Sequence, residues 1–248
     1  MNLAVGAEEA VAGLVRKLRA RDVISRQEEE VLAAAVSEIQ EARPGKILVR
    51  AGVSLSECKL LVEGMVCRYK ELHEGQRQIL ELHVSGDFVD LHSFPLKRLE
   101  HNIAALTPVR IAIVPHDRLK RLTEEHPHLA RLLWFSTLLD AAIHREWILS
   151  IGRRSALARV AHLLCELYVR MDVIGLAPDQ CYPLPLTQAD LADATGLTAV
   201  HVNRMLRKLR DESLLTFRNG KVAIHDWGGL IRTAEFDPAY LYLERRPR

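Results

Sequence analysis

The stretch that decides the fold is residues 186–209, LTQADLADATGLTAVHVNRMLRKL. Thr187 and Thr198 are N-cap residues, and each begins a short helix. Ala192 is small where two helices must cross closely, and Gly196 follows four residues later, where the turn needs a positive φ. Apolar residues come one, six and nine positions after the glycine: Leu197, Val202 and Met205. This spacing predicts a helix-turn-helix, and the alternative is an ordinary pair of core helices joined by a glycine turn.

A β-hairpin follows these helices. Two short apolar runs, 214–217 and 222–225, flank the sequence RNGK at 218–221. Asn-Gly is the strongest short-range signal for a tight hairpin, because both residues tolerate a positive φ. The sequence therefore predicts a winged helix-turn-helix.

Positive charge is concentrated in the same region. From His201 to Lys221 there are six basic and two acidic residues, although the formal net charge of the whole chain is only +2. A phosphate backbone attracts lysine and arginine clustered in this way; the alternative is a solvated face. The candidate DNA-contacting residues are Thr187, Gln188, Thr198, Ala199, Val200, His201, Asn203, Arg204, Arg207, Lys208, Arg218 and Lys221.

The second helix of the motif would lie in the major groove of DNA. Arg204 can donate two hydrogen bonds to O6 and N7 of guanine. Asn203 can either read adenine or hold a phosphate. Ala199 and Val200 can offer only apolar contact, for example to the methyl group of thymine.

The chain between Pro44 and residue 114 has a different period. Short apolar runs alternate with turns there: KILVR, CKLLVEG, MVCRYKEL, RQILELHV, DFVDL, NIAAL and VRIAIV. Many short strands at such spacing predict a β-sandwich, barrel or jelly roll. Residues 8–40 in front of them have a helical period, and Ser25 with Glu28 is a capping-box signal inside that range.

A long helix is predicted from residue 127 to residue 151. Pro127 suits its first turn, Gly152 suits its end, and its apolar residues lie on two faces. One face can pack on the β domain, so the other needs a second partner. We interpret the segment as a dimerisation helix; the alternative is a helix buried within one domain. A further amphipathic helix is expected at 153–171, and a proline-rich loop at 175–185.

Composition excludes several classes of protein. The chain has 248 residues, 48% hydrophobic and 27% charged, so disorder is excluded and one large or two modest domains fit. The N-terminus has no long apolar core and no long apolar run occurs elsewhere, so we expect a cytoplasmic protein without a membrane partner. The four cysteines form no CxxC pair, so we expect reduced thiols and no metal site.

Enzymatic activity is not expected either. The signatures of P-loop proteins, serine hydrolases and zinc proteases do not occur in the sequence. The nearest candidates are His116 with Asp117, which fit a helix start, and Asp87 with Asp90, which fit turns.

A β-roll, a long linking helix and a C-terminal winged helix-turn-helix in this order resemble the Crp/Fnr superfamily of bacterial transcription regulators. The most specific residues are GLTAVHVNRMLRKLRDESLL at 196–215 and GDFVDLHSF at 86–94. The resemblance implies an α+β fold with a cyclic-nucleotide-binding-like β-roll (a double-stranded β-helix or jelly roll) as sensory domain at 1–126. It also implies a dimerisation helix at 127–152 and a DNA-binding domain at 153–248.

The resemblance further implies partners and one residue role. Family members are homodimers on palindromic double-stranded DNA, and RNA polymerase is an expected further partner. The arginine that reads guanine in the family matches Arg204. Cyclic-AMP-responsive members carry Arg and Glu where this chain has Ala199 and Val200, and oxygen-responsive members carry Glu and Ser at Val200 and Asn203. The DNA target should therefore differ from both well-known sites.

The effector is left open by the sequence. Cyclic-nucleotide-binding members hold the ribose with Gly-Glu-Leu and the phosphate with Arg-Ser, where this chain has Val-Asp-Leu at 89–91 and His-Asn at 101–102. The missing arginine argues against cyclic AMP, and the lack of any cysteine before Cys58 argues against an iron–sulfur cluster. Nothing supports haem, whereas Cys58 with Cys67 stays open as a thiol sensor. The candidate effector-pocket residues are Asp87, Phe88, Val89, Asp90, Leu91, His101 and Asn102.

A cyclic-nucleotide-binding module with a different output remains as an alternative function. It would leave the winged helix without a role, so a DNA-binding transcription regulator is the better interpretation.

Overall fold

The computed structural model describes residues 3–247. Its helices are α1 (Leu3–Arg19), α2 (Arg26–Ala34), α3 (Ser93–Leu96), α4 (His116–Glu125), α5 (Pro127–Arg153), α6 (Ala156–Val173), α7 (Gln188–Thr195), α8 (Ala199–Asp211) and α9 (Trp227–Ala234). Its strands are β1 (Glu38–Ala42), β2 (Ile47–Val49), β3 (Glu57–Glu63), β4 (Val66–Glu71), β5 (Arg77–His83), β6 (Asn102–Ala105), β7 (Val109–Pro115), β8 (Cys181–Pro183), β9 (Leu215–Arg218) and β10 (Lys221–Ile224). Across this described range, every helix falls short of the length and apolarity that a bilayer crossing requires.

Within residues 3–247 the strands form three sheets, with the orders β1-β7-β3, β2-β6-β4-β5 and β8-β10-β9. Alternation along β7 shows how the first sheet is built. Ile111 and Ile113 face a core that includes residues of the second sheet, whereas Ala112 and Val114 face a core that includes α1, α2, α4 and α5. Since side chains alternate across a strand, successive residues of β7 are buried in the two cores in turn. The sequence from Ile111 to Val114 is therefore continuously apolar and does not alternate between apolar and polar residues.

The described residues divide into two compact units. One comprises 3–69, 82–141 and 242–247, and the other comprises 70–81 and 142–241. The tip of the β4–β5 hairpin, residues 70–81, therefore belongs to the same unit as the helix-turn-helix.

The predicted helical segment 8–40 is wrong at its end. α2 stops at Ala34, and the backbone amide of Ser37 donates to the carbonyl of Ile113 at 2.8 Å. The next residues pair with β7 as strand β1. Pairing with a neighbouring strand therefore decides the structure of an apolar repeat that also fits a helix.

The predicted strand at 87–91 is also wrong. Phe88 makes one isolated bridge to Leu60, and the chain then turns, with the amide of Ser93 donating to the carbonyl of Asp90 at 2.7 Å. Gly86 begins this irregular segment with a φ of 84°. α1 crosses it so closely that a Cβ on Gly86 would lie 2.4 Å from the carbonyl carbon of Gly13. This close crossing leaves no room for a regular strand with side chains at that point.

The long helix extends beyond its predicted end. α5 includes Gly152, which lacks the positive φ of a glycine terminator, and continues to Arg153. Arg159 donates from Nη2 to the carbonyls of Ile151 (2.8 Å) and Arg154 (3.2 Å). These bonds satisfy carbonyl groups that a helix end leaves without partners, so no glycine cap is needed.

A buried carboxylate joins three parts of the second unit. Glu166 of α6 is fully buried and accepts hydrogen bonds from Trp147 Nε1 (3.1 Å), Arg170 Nη1 (3.0 Å) and Tyr240 Oη (2.8 Å). Tyr240 also stacks on His162, with ring centroids 5.9 Å apart. Burial lowers the pKa of His162 to about 3, so its ring is neutral at physiological pH. The segment after α9 is thus part of the folded core of this unit.

Candidate nucleic-acid interface

The helix-turn-helix is built from local signals. Thr187 Oγ1 accepts from the amide of Asp190 (3.1 Å), and Asp190 Oδ2 accepts from the amide of Thr187 (3.0 Å), so α7 begins with a capping box. Gly196, with a φ of 63°, ends α7 in the left-handed region. Thr198 Oγ1 then accepts from the amide of His201 at 3.2 Å and begins α8. Each predicted cap and the glycine turn are confirmed.

The packing between α7 and α8 rests on small and apolar side chains. Val202 and Leu209 are completely buried, and Ala192 is 5% exposed. The small residue at 192 allows the two helices to approach closely, as the spacing predicted. Leu197 and Met205 are only partly buried.

The opposite face of α8 is open. Val200 is 82% exposed, and Asn203, Arg204 and Arg207 are exposed as well. Residues three, four and seven positions apart share one face of a helix. The face is therefore a strip with one apolar and three polar side chains on a single α-helix, the kind of element that a major groove admits. Ala199 and His201 flank the strip and are half-buried.

The wing is a two-residue hairpin. Asn219 has a φ of 51° and Gly220 a φ of 68°, as a type I′ turn requires. Arg218 lies opposite Lys221 in the β9–β10 register, and both side chains are exposed. β8 adds a third strand beside β10, within the segment predicted to be a loop. The wing thus presents two cations at its tip.

The remaining candidate DNA contacts lie at the edges of this surface. Thr187 and Gln188 are exposed at the N-terminus of α7, where backbone amides and the helix dipole favour an anion such as phosphate. Lys208 is exposed on α8, with Nζ 3.8 Å from Glu212 Oε1. An exposed pair of this kind is weak, so the ammonium group remains available to a phosphate.

The structure does not gather all the predicted effector residues around one cavity. Asp87, Phe88 and Leu91 line a crevice of about 40 Å³ together with residues of α1 and α5. Pockets for small molecules occupy roughly 300–1,000 Å³. The crevice is therefore of water size in this conformation.

Two of the predicted residues are held inside the first unit. Val89 is fully buried in the core between the two sheets. Asp90 is fully buried, and its Oδ1 accepts from the amide of Lys59 at 2.6 Å. Burial raises the pKa of Asp90 to about 6. The carboxylate is part of the interior of this unit rather than of the crevice lining.

The last two predicted residues have partners of their own. His101 Nδ1 lies 3.0 Å from Glu100 Oε1, and Asn102 Oδ1 accepts from the amide of Ala51 at 3.0 Å. Both contacts are made within the β-roll.

Sequence reasoning missed a buried arginine in this unit. Arg68 of β4 is 2% exposed; its Nε donates to the carbonyl of Val89 (2.9 Å), and its Nη2 lies 2.9 Å from Asp140 Oδ2 of α5. The guanidinium thus joins the 86–94 segment to the long helix. An arginine inside the apolar run MVCRYKEL was the signal, because an interior strand position is an unusual place for a cation without partners.

The thiols are poorly placed for sensing. Cys58 and Cys67 are completely buried, and burial raises the pKa of the Cys58 thiol. A reactive cysteine needs exposure and a lowered pKa. Among residues 3–247 no cluster of three histidine, cysteine or acidic side chains is arranged to hold a metal ion.

Comparison with known proteins gives two family matches. Residues 158–233 match the model of the Crp-like helix-turn-helix domain, and residues 39–126 match that of the cyclic nucleotide-binding domain. The chain is 30% identical over 172 residues to a probable transcriptional activator of Rhizobium leguminosarum bv. viciae, covering 69% of this chain and 70% of the relative. It is 25% identical over 228 residues to the transcriptional activator protein FnrL of Cereibacter sphaeroides, covering 89% and 90%.

Solved structures agree with these matches. FixK2 from Bradyrhizobium japonicum superimposes with a TM-score of 0.73 at 26% identity, covering 80% of this chain and 97% of that protein. TTHB099 of Thermus thermophilus, a regulator of the CRP family, superimposes with a TM-score of 0.61 at 21% identity, covering 79% and 97%. The predicted architecture of β-roll, long helix and winged helix-turn-helix is confirmed.

Proposed function

The chain belongs to the Crp/Fnr superfamily of transcription regulators, and we propose that it binds a palindromic DNA site as a homodimer without cyclic AMP as effector. One observation carries the proposal: the exposed strip of α8 and the cations of the wing lie on one winged helix-turn-helix. In this family of regulators, rather than enzymes, such a helix reads bases while the flanking parts hold the backbone.

The side chains of the strip divide by the chemistry that each can offer. Arg204 reads a guanine through O6 and N7, and Val200 contacts a thymine methyl group. Asn203 reads adenine or holds a phosphate. Arg218 and Lys221 on the wing neutralise phosphates, whereas the uncharged Thr187 and Gln188 at the start of α7 contact phosphates through hydrogen bonds. The contact set is completed by Thr198, Ala199, His201, Arg207 and Lys208.

The second copy of the chain would pack along α5. Its exposed apolar side chains are Trp134 (67% exposed), Leu138 (52%), Ile148 (72%) and Leu149 (48%). These residues recur at helical spacing, as a helix seam between two protomers requires. Ile143, by contrast, is 2% exposed and already buried within its own protomer. A two-fold pair of α8 helices then fits two half-sites about one turn of DNA apart, roughly 34 Å.

The described residues of the first unit lack the features that cyclic AMP would need. His101 and Asn102 stand where the resemblance places the phosphate-binding Arg-Ser pair, and both side chains have contacts inside the β-roll. The crevice at 86–91 has water size. The match to the cyclic nucleotide-binding domain is therefore a likeness of fold, and the effector is a molecule other than cyclic AMP, or none.

Two further parts of the proposal follow from the family. Since relatives carry the name transcriptional activator, RNA polymerase is the proposed protein partner on DNA. Because promoter DNA is the target, the cytoplasm is the proposed location.

The experiment that tests the function starts from DNA selection. Purified protein is used to enrich binding sequences from random duplexes, and the enriched site is then compared with a scrambled duplex over a range of salt concentrations. Arg204→Ala should weaken binding to the selected site by about 1–3 kcal/mol and binding to scrambled DNA much less. Lys221→Ala should weaken both alike and lower the salt slope by about one phosphate per protomer.

Two outcomes would contradict these assignments. Equal losses of Arg204→Ala on both duplexes would mean that Arg204 holds a phosphate rather than a base. If no sequence is enriched and neither variant changes DNA binding, the DNA-binding function itself is wrong.

A further inference from the structure

An arginine outside the helix-turn-helix contacts its first helix. Arg77 lies at the tip of the β4–β5 hairpin, in the compact unit that contains α7 and α8. Its Nε donates to Asp193 Oδ2 at 2.7 Å, and its Nη2 donates to Asp190 Oδ1 at 2.8 Å. The neighbouring Gln78 donates from Nε2 to the carbonyl of Asp193 at 2.7 Å. Two consecutive side chains of the hairpin thus bind the same helix.

The geometry of this contact favours a defined orientation. Asp190 and Asp193 are three residues apart and therefore share one face of α7. A guanidinium group donates in a rigid planar fork, so two separate carboxylates fix its direction more narrowly than one does. The side chains of Arg77, Asp190 and Asp193 are 28%, 15% and 29% exposed, respectively. This partial burial limits the screening of the two ion pairs by water and salt. Asp190 is also the capping-box partner of Thr187, so the fork reaches the point where α7 begins.

The contact of the hairpin with α7 leaves the exposed strip of α8 uncovered. The hairpin binds α7, and Gln78 Oε1 lies 3.8 Å from the point where a Cβ of Gly196 would be, in the turn of the motif. Val200, Asn203 and Arg204 on α8 are exposed in the same structure. The hairpin therefore contacts the helix-turn-helix away from the exposed strip of α8 that we propose binds DNA.

We propose that Arg77 is a positioning residue for DNA recognition: its fork to Asp190 and Asp193 holds α7 on the hairpin and so fixes the direction in which α8 presents its exposed strip. The proposal rests on the DNA-binding function proposed above. When the fork is lost, the motif occupies several orientations, and the apparent affinity for DNA falls in proportion to the fraction that remains competent.

Asp193→Ala gives the sharpest test, because an effect of charge alone and a loss of positioning would change the affinity for DNA in opposite directions. The variant removes a negative charge from a DNA-binding unit, so charge alone would strengthen binding to DNA. Loss of positioning should weaken it. We expect the affinity for the selected duplex to fall by about fivefold or more, the lower end of usual coupling between sites. Asp193 is preferred to Asp190, since the latter also caps α7.

A double variant separates positioning from direct contact with DNA. Arg77→Ala should weaken binding at least as much as Asp193→Ala does, since it removes the bond to Asp190 as well. The double variant should lose no more than Arg77→Ala alone, because that variant already lacks both bonds of the fork. The salt slope should stay unchanged, as a residue that touches no phosphate releases no counterion. Arg110→Ala is the matched control, since Arg110 is 26% exposed, pairs with Glu9 (3.3 Å) and Glu63 (3.9 Å), and lies in the other unit.

Circular dichroism and urea unfolding of each variant show whether the fold is kept, and Asp193→Asn serves as a milder substitute if Asp193→Ala unfolds. Equal or tighter DNA binding by a folded Asp193 variant would overturn the proposal. So would additive losses in the double variant, or a lowered salt slope in Arg77→Ala. In each of these cases the wild-type protein still binds the selected duplex, whereas failure of the proposed function would show as no sequence-specific binding by the wild type.

Discussion

Replacing one thymine by uracil in each half-site removes one methyl group per half-site and changes nothing else in the DNA. Val200 is 82% exposed on the first turn of α8, so nearly all of its apolar surface is available for burial against such a methyl group. Burial of one methyl or methylene group contributes about 0.8 kcal/mol. For two half-sites the loss is about 1.6 kcal/mol, which corresponds to a roughly fifteenfold weaker complex.

The assay is fluorescence anisotropy with pairs of duplexes that differ at one thymine of each half-site. Val200 and Arg204 are four residues apart, or roughly 6 Å along the helix axis, so the sensitive thymine should lie within about two base pairs of the guanine that Arg204 reads. Uracil at positions outside the half-sites is the control on the DNA side. Val200→Ala is the control on the protein side, and it should bind the thymine and uracil duplexes almost equally.

Two results would refute this reasoning. If no thymine in the half-site is sensitive to its methyl group, Val200 does not read DNA through apolar contact. If Val200→Ala keeps the full difference between thymine and uracil, another residue makes the contact.

Three further predictions concern the rest of the chain. Leu138→Glu should shift the protein toward the 28.0 kDa monomer in sedimentation at micromolar concentration, because a buried unpaired carboxylate is costly; an unchanged dimer would place the interface elsewhere. His128, whose pKa is raised by its hydrogen bond to Glu28 and by Asp22, should stabilise the fold fully below the unfolded-state pKa of 6.5, and this contribution should disappear as the pH rises through the raised value. Urea unfolding of wild type and His128→Gln from pH 5 to pH 9 checks this, and a difference that grows with pH would contradict it. Calorimetry should detect no binding of micromolar cyclic AMP, since a buried phosphate lacks its guanidinium partner; sub-micromolar affinity would show that another residue supplies it.

The winged motif could be predicted almost to the residue because its signals are local. A threonine cap needs only the next few amides, Gly196 needs only its own φ, and the Asn-Gly turn specifies its hairpin. The strand β1 could not be predicted in this way, since its partner β7 lies about seventy residues further along the chain. The same holds for Arg68 and Arg77. Both are single basic residues in strands, and the role of each depends on carboxylates that lie far away in the sequence.

The hydrogen bond from Tyr240 to Glu166 sets the shortest useful fragment of the second unit. The matched helix-turn-helix domain ends at residue 233, before Phe236 and Tyr240. A fragment cut there would leave Glu166 buried with one donor fewer and would expose His162, on which Tyr240 stacks. Fragments for nuclear magnetic resonance or crystallisation with DNA should therefore end no earlier than Leu241. An affinity tag should follow Leu241 and should not replace the residues that precede it.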